Sequence, residues 1–298
     1  MFRKLFAVIF PLSLAISVAG ATDTSTTRAS LSAADVLARN VAARGGLSAW
    51  RAVQSISMEG KLGAGGNQRA TMAVPPQSGK KVTALPSDPR PKEEIQLPFT
   101  MDLQRPHKQR FELLFNGQTA LQVYDGVNGW KLRPYLNRRE IELFSSDELK
   151  VASTQAELDG YLIDYATKGT QVDLVGTEKV EGRDTYKLKL TLKTGQVIHV
   201  WIDAQSFLEA KIEGQPRRLD GIEHPVEVYY RDYRTVNGLQ IPFLLETKVL
   251  PLDDPAARVK DPPVPAEKIA IEKVQVNPKF SASLFMKPDV EAATAHHE

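Results

Sequence analysis

Between Ser55 and Val276 the chain repeats one pattern, short runs that alternate apolar and polar residues and are broken by turn signals. In "TYKLKLTL", Tyr186, Leu188, Leu190 and Leu192 alternate with Lys187, Lys189 and Thr191, which is the period of a strand with one apolar and one wet face. "SISMEGKL", "KQRFELLF", "TALQVYD", "QVIHVWID", "VEVYYRDYRTV", "LQIPFLLETKVL" and "EKIAIEKVQV" read as further strands, punctuated by Arg-Pro, Asn-Gly and Asp-Gly. Strands joined by turns this short pair antiparallel. The expected fold is mainly β with a few helices: one strongly curved antiparallel sheet whose concave side the helices close.

Helix signals are few. Ser32 is an N-cap with Asp35 three residues on, Val36, Leu37 and Val41 give an apolar face, and Gly45-Gly46 stops the pattern. A short second helix over 48–53 carries Trp50, a turn starts at Ser146, and Leu158, Leu162 and Tyr165 in "TQAELDGYLIDYA" stand at helical spacing. In "YDGVNGWKLRP", Asp125-Gly126 and Asn128-Gly129 read as the tight corner of a hairpin, both dipeptides supplying positive φ. Two Pro-rich segments, 74–98 and 251–265, have prolines too closely spaced for a central strand and read as long surface loops.

The first 21 residues have the form of an export signal: Arg3 and Lys4, an unbroken apolar run from Leu5 to Val18, then "AGA". The run is shorter than the ~20 residues a spanning helix needs. The expected organisation is therefore a signal peptide over 1–21, a flexible start over 22–31, one domain over 32–290 and a frayed tail over 291–298. The sequence has no cysteine, which removes disulfides, a lipid-anchoring cysteine and thiolate chemistry. Its 38 basic and 36 acidic residues become 36 of each once Arg3 and Lys4 leave with the signal, so no nucleic-acid partner is expected.

Residues for covalent chemistry are sparse. No G-x-S-x-G is present, and the histidines are His107, His199, His224, His296 and His297, the last two in the tail. His199 and Asp203 share a strand face, with His224 in reach of the same region, and these three are the whole motive for a hydrolase. There is no H-E-x-x-H, and "GAGG" at Gly63 to Gly66 lacks the Lys-Ser/Thr of a phosphate loop, so neither a metal nor a cofactor is expected.

The remaining signal is apolar. Phe111, Leu113 and Phe115 share one strand face, as do Tyr186, Leu188 and Leu190, then Ile198, Val200 and Ile202. A closed small barrel would fill with these side chains. A half-open sheet capped by helices would instead keep a cavity suited to acyl chains, at ~0.8 kcal/mol per buried CH2. Both interiors fit the pattern.

The order of motifs adds a resemblance. The amphipathic first helix, "DLQRP", "RFELLF", "YDGVNGWKLRP", "LVGTEKVEGRDTYKLKL", "HVWIDAQSFLEAKIE", "YYRDYRTVNGLQIP" and "NPKFSASLFMKP" together resemble the LolA/LolB-like outer-membrane lipoprotein-sorting family. That resemblance implies a half-open antiparallel barrel with a helical lid. It also implies a soluble monomer in the periplasm that carries the acyl chains of lipoproteins or lipids between an inner-membrane donor and an outer-membrane acceptor. Arg105 falls where such carriers have a lid-holding arginine, and Trp130 on the matching hairpin. With Phe111, Leu113, Phe115, Tyr124, Leu188, Val200 and Ile202 they form the expected ligand-binding set. The two Pro-rich loops are a departure from the simple carrier and leave the cargo open, whether lipoprotein, lipid or another apolar ligand. A filled barrel acting as an envelope protein-interaction module is the competing expectation.

Overall fold

The computed structural model describes residues 31–65, 94–134, 138–219, 222–252 and 264–289. The expected signal peptide, the tail and residues 74–93 of the first Pro-rich segment lie outside the described residues, as do residues 253–263 of the second. Residues 94–98, expected as loop, are strand instead: their alternation of exposed and half-buried positions pairs in register with the strand before them, so Pro98 is accommodated within a ladder.

The chain enters through two helices. Helix α1 (Ala33–Ala43) begins at Ser32, which accepts a hydrogen bond from the Asp35 amide while the Asp35 carboxylate accepts from the Ser32 amide, a reciprocal cap. Its buried face is Val36, Leu37 and Asn40. Helix α2 (Leu47–Ala52) follows the glycine pair and turns Trp50 into the core, where its indole N–H donates to the Arg44 carbonyl at 3.0 Å.

The sheet is two antiparallel meanders that meet in its middle. The first runs outward as β1 (Ser55–Gly65), β2 (Glu94–Gln104), β3 (Lys108–Phe115), β4 (Gln118–Tyr124), β5 (Gly129–Arg133) and β6 (Arg138–Leu143). The chain then crosses through helix α3 (Ser146–Gln155) and a segment of turns over 156–170. It resumes at the opposite edge as β7 (Gln171–Val180), β8 (Arg183–Thr191), β9 (Val197–Asp203) and β10 (Glu209–Glu213). A small separate hairpin of β11 (Arg217–Leu219) and β12 (Ile222–His224) interrupts the return through β13 (Val226–Val236), β14 (Leu239–Val249) and β15 (Glu267–Val276). The 13-stranded order is β6-β5-β4-β3-β2-β1-β15-β14-β13-β10-β9-β8-β7, so the sheet is not closed and β6 and β7 are its edges.

Two sequence expectations shift in detail. The corner between β4 and β5 is a four-residue loop in which Asp125 Oδ1 accepts from the amides of Val127 and Asn128, at 2.8 and 2.6 Å. Only Gly126 takes positive φ there (104°); Gly129 is small for another reason, since a Cβ would stand 2.1 Å from the Phe144 ring. The helix expected around Leu158, Leu162 and Tyr165 is a run of turns, because Gly160 and Asp164 both adopt positive φ (73° and 53°) and break the helical ladder. Helix α3 occupies the stretch before it.

The main core lies on the concave face. Ile56, Phe99, Leu103, Ile241, Phe243 and Ile271 of the sheet pack against Trp50 of α2, against Val53 just after it and against Leu158 and Ile163 of the turn segment. A second core lies on the outer face. Leu121 pairs with Leu132 and Val123 with Trp130, so all four share the side opposite Phe111, and a 3-10 turn at Ala282–Phe285 covers them with Leu284 and Phe285.

Candidate functional site

The segment over 157–168 lies across the concave face as a cover, and cations from three other elements hold it there. Arg105, at the corner between β2 and β3, donates from Nε to the Val53 carbonyl at 2.8 Å and from Nη2 to Asp159 Oδ2 at 2.6 Å. Lys168 donates to the other Asp159 oxygen and to the Gly160 carbonyl. Arg44, at the end of α1, reaches the Asp159 carbonyl at 3.1 Å and Glu209 at 3.2 Å, and Arg51 of α2 holds both oxygens of Asp164. Asp159 is 2% exposed. Burial alone would raise its pKa, but the hydrogen bonds from Arg105 and Lys168 outweigh that and hold the carboxyl below its usual value.

Under this cover is a cavity of about 230 Å3. Its sheet wall is Val200, Ile212 and Tyr230, its roof is Gly160, Tyr161 and Leu162, and Arg44, Glu209 and Tyr233 also line it. A polar chamber of about 450 Å3, open to solvent, adjoins it across Glu209, Tyr230 and Tyr233. This arrangement can hold an apolar group beside polar atoms.

The expected ligand-binding residues fall into separate places. Phe111 and Leu113 are half-buried on the concave face, with the Phe111 ring stacked 5.8 Å from Phe99. Phe115 is half-buried near the end of β3. Leu188, Val200 and Ile202 share the concave side of β8 and β9, all three fully buried, and Val200 also borders the cavity. Tyr124 is buried against Ala152 of α3 and Ala156 just after it, its hydroxyl donating to the Gly126 carbonyl. Trp130 is on the outer face beside Phe285, away from the concavity, because the strand alternation set by its pairing with Val123 points it there. Arg105 sits at the cover.

The hydrolase residues do not assemble. His199 Nδ1 lies 2.9 Å from Glu213, Asp203 accepts from the Ser206 and Gln205 amides and pairs with Arg183, and His224 is buried against the Leu250 carbonyl. Among the described residues, no group of three His, Asp or Glu side chains could hold a metal. The residues missed in the sequence are Asp159, Asp164, Arg44, Tyr161 and Tyr233, whereas Tyr230 reads from the sequence as part of an apolar strand face with Val226 and Val228. The dense "VYYRDYR" was the one available signal for Tyr233, whereas the ion pairs join positions up to 165 residues apart and leave no local trace.

No protein-family model matches the sequence, and no curated protein matches it. Solved structures do. A LolA superfamily protein from Nitrosomonas europaea superposes with a TM-score of 0.50 at 13% identity, over 86% of this chain and 98% of that one. An outer membrane lipoprotein-sorting protein domain from Vibrio parahaemolyticus gives 0.48 at 10% identity, over 87% and 97%. A DUF1329 family protein from Desulfovibrio piger gives 0.49 at 13%, over 85% and 96%. The first of these likenesses, together with the unclosed 13-stranded sheet, shows that the chain has the LolA fold, a half-open antiparallel barrel.

Proposed function

We propose that the protein is a soluble periplasmic carrier that shelters acyl chains of lipoproteins or lipids between its sheet and its cover, and that it does no covalent chemistry. The observation that carries this reading is the cover itself, a non-helical segment held over an apolar concavity by side-chain ion pairs rather than by backbone ladders. The exposed Arg51–Asp164 pair exchanges for water at modest cost, whereas the buried Asp159 is costly to unpair, so opening of the cover turns on that one carboxylate and its two cations. The 230 Å3 under the cover is below the ~300–1,000 Å3 of pockets for drug-sized ligands, so a long chain is accommodated only with the cover displaced. Its path would then run along Val200, Ile202 and Leu188 and over the half-buried Phe111, Leu113 and Phe115, with Arg105 as the latch. An inner-membrane donor and an outer-membrane acceptor would load and empty it.

The test is direct. Protein purified from its native envelope is extracted with organic solvent and the extract analysed by mass spectrometry, and the emptied protein is offered lipids and acylated peptides. Co-purified or loadable acyl ligand at near one per chain is the expected result; repeated failure of both arms removes the carrier reading. One observation favours the competing envelope-interaction module: Trp50, Phe99 and Phe243 fill the centre of the concavity. That module would yield no lipid and would retain a stoichiometric protein partner instead.

A further inference from the structure

The cavity under the cover is not a plain hydrocarbon pocket. Tyr161 of the cover and Tyr230 of β13 both border it, and neither hydroxyl has a hydrogen-bond partner among the described residues. Burial pushes both phenols up from their ordinary value, Tyr230 further through the nearby Glu209 and Tyr161, so both remain protonated donors at neutral pH. Tyr233 differs, since its hydroxyl already donates to the Glu209 carbonyl at 3.0 Å. A pure hydrocarbon in this space would seal two donors without acceptors, whereas a carbonyl would serve them.

The adjoining chamber constrains the group attached beyond that carbonyl. Its charges are already matched: Glu181 accepts from Arg231 at 2.6 and 2.7 Å, Asp203 pairs with Arg183, and Asp232 with Arg234. An ionic head would have to displace one of these partners. A hydroxyl-bearing head need not, because a paired carboxylate keeps spare lone pairs that accept from O–H donors.

Building on the carrier reading, we infer that the site takes an amphipathic acyl ligand whose ester or amide carbonyl sits between Tyr161 and Tyr230, its chain against Val200 and Ile212 and its uncharged, hydroxylated head in the chamber beyond Glu209. The two hydroxyls thereby fix where along the ligand the apolar part ends. The cavity then measures the position of the acyl linkage as well as burying the chain.

Displacement of the apolar fluorophore N-phenyl-1-naphthylamine from the purified protein tests this with four ligands of one chain length: a monoacylglycerol, its 1-O-alkyl ether analogue, the free fatty acid and the alkylamine. The ester is expected to bind about fivefold to tenfold more tightly than the ether, the value of one hydrogen bond. It should also bind more tightly than either charged ligand. The double variant Tyr161→Phe/Tyr230→Phe should bring the ester down to the ether and leave the ether unchanged. Equal binding of ester and ether by the unaltered protein overturns the carbonyl assignment while leaving the carrier reading intact, and does so even if the double variant does not fold. Tighter binding of the acid or amine overturns the head assignment. Failure of all four to displace the fluorophore removes both the inference and the carrier reading beneath it.

Discussion

Asp159 concentrates the electrostatics of the cover in one buried carboxylate with two cationic donors. Its pKa is depressed, so its contribution to the closed state is complete above the unfolded value of 3.8 and is lost as pH falls through the lower folded value. Uptake of an apolar dye should therefore rise only as pH falls below the unfolded value of 3.8, and Asp159→Asn should already take up dye at neutral pH with a flattened acid step. Arg105→Leu acts on the same carboxylate from the other side. The guanidinium also holds the Val53 carbonyl, which a lysine could not do at the same time. Transfer of bound acyl ligand to acceptor vesicles should change more than the unfolding midpoint does; unchanged transfer would take Arg105 out of the mechanism. Asp102 is the opposite case. Burial raises its pKa despite a hydrogen bond from Ser57, and one of its oxygens has no partner. A raised carboxylate favours the folded state fully below 3.8 and loses that contribution as pH rises through the folded value, so the ionised form burdens the fold at neutral pH. Asp102→Asn should raise stability there by ~1 kcal/mol in denaturant titrations, with the gain vanishing in acid.

The last described element is small but covers much. The 3-10 turn at Ala282–Phe285 lies on β3, β4 and β5, where Phe285 is 2% exposed against Leu121, Val123 and Leu132, and Arg110 donates to the Leu284 carbonyl at 3.2 Å. Phe285→Ala should cost ~3–5 kcal/mol in chemical unfolding if the turn is structural, with near-neutral stability as the outcome that would contradict it. Secondary structure was legible in the sequence to the degree that neighbours decide it. The cap at Ser32, the alternation through Tyr186 to Leu190 and the turn at Asn237-Gly238 follow from adjacent residues, and the structure has each of them. The helix read into Leu158, Leu162 and Tyr165 failed because spacing reports which residues are buried, and Leu158 and Leu162 are buried. It does not report that Gly160 and Asp164 would turn left-handed, the latter under a bidentate grip from Arg51. Trp130 shows a related limit. Alternation placed it on one face of β5, but an element more than 150 residues later makes that face a core.

At the scale of the whole molecule, the site is harder to read than the sheet because it is assembled by the crossover between edges. Glu209, Arg44 and Asp159 come from β10, α1 and the cover, and only the return of the chain from β6 to β7 brings them together. The same open topology leaves two strand edges that must be kept from pairing with other chains. On β6 this is done by charge, with Arg138, Arg139, Glu140 and Glu142 in six residues. On β7 it is done by geometry. Leu174 pairs with Leu188 and Gly176 with Lys187, so Val175 is an extra residue, bulged out and 54% exposed. A bulge bends its strand and interrupts the row of free backbone groups that a second strand would need. The protein should accordingly sediment as a monomer as its concentration is raised. Deleting Val175 preserves the pairing on both sides of the bulge while making the edge regular over β7. That variant should keep the unfolding midpoint within about 1 kcal/mol of the parent, since no core residue moves, yet associate as concentration rises. If the deletion variant stays monomeric over the same range, the bulge is not what protects this edge; if the parent itself associates, the open barrel uses its edges for assembly and carries its ligand as an oligomer.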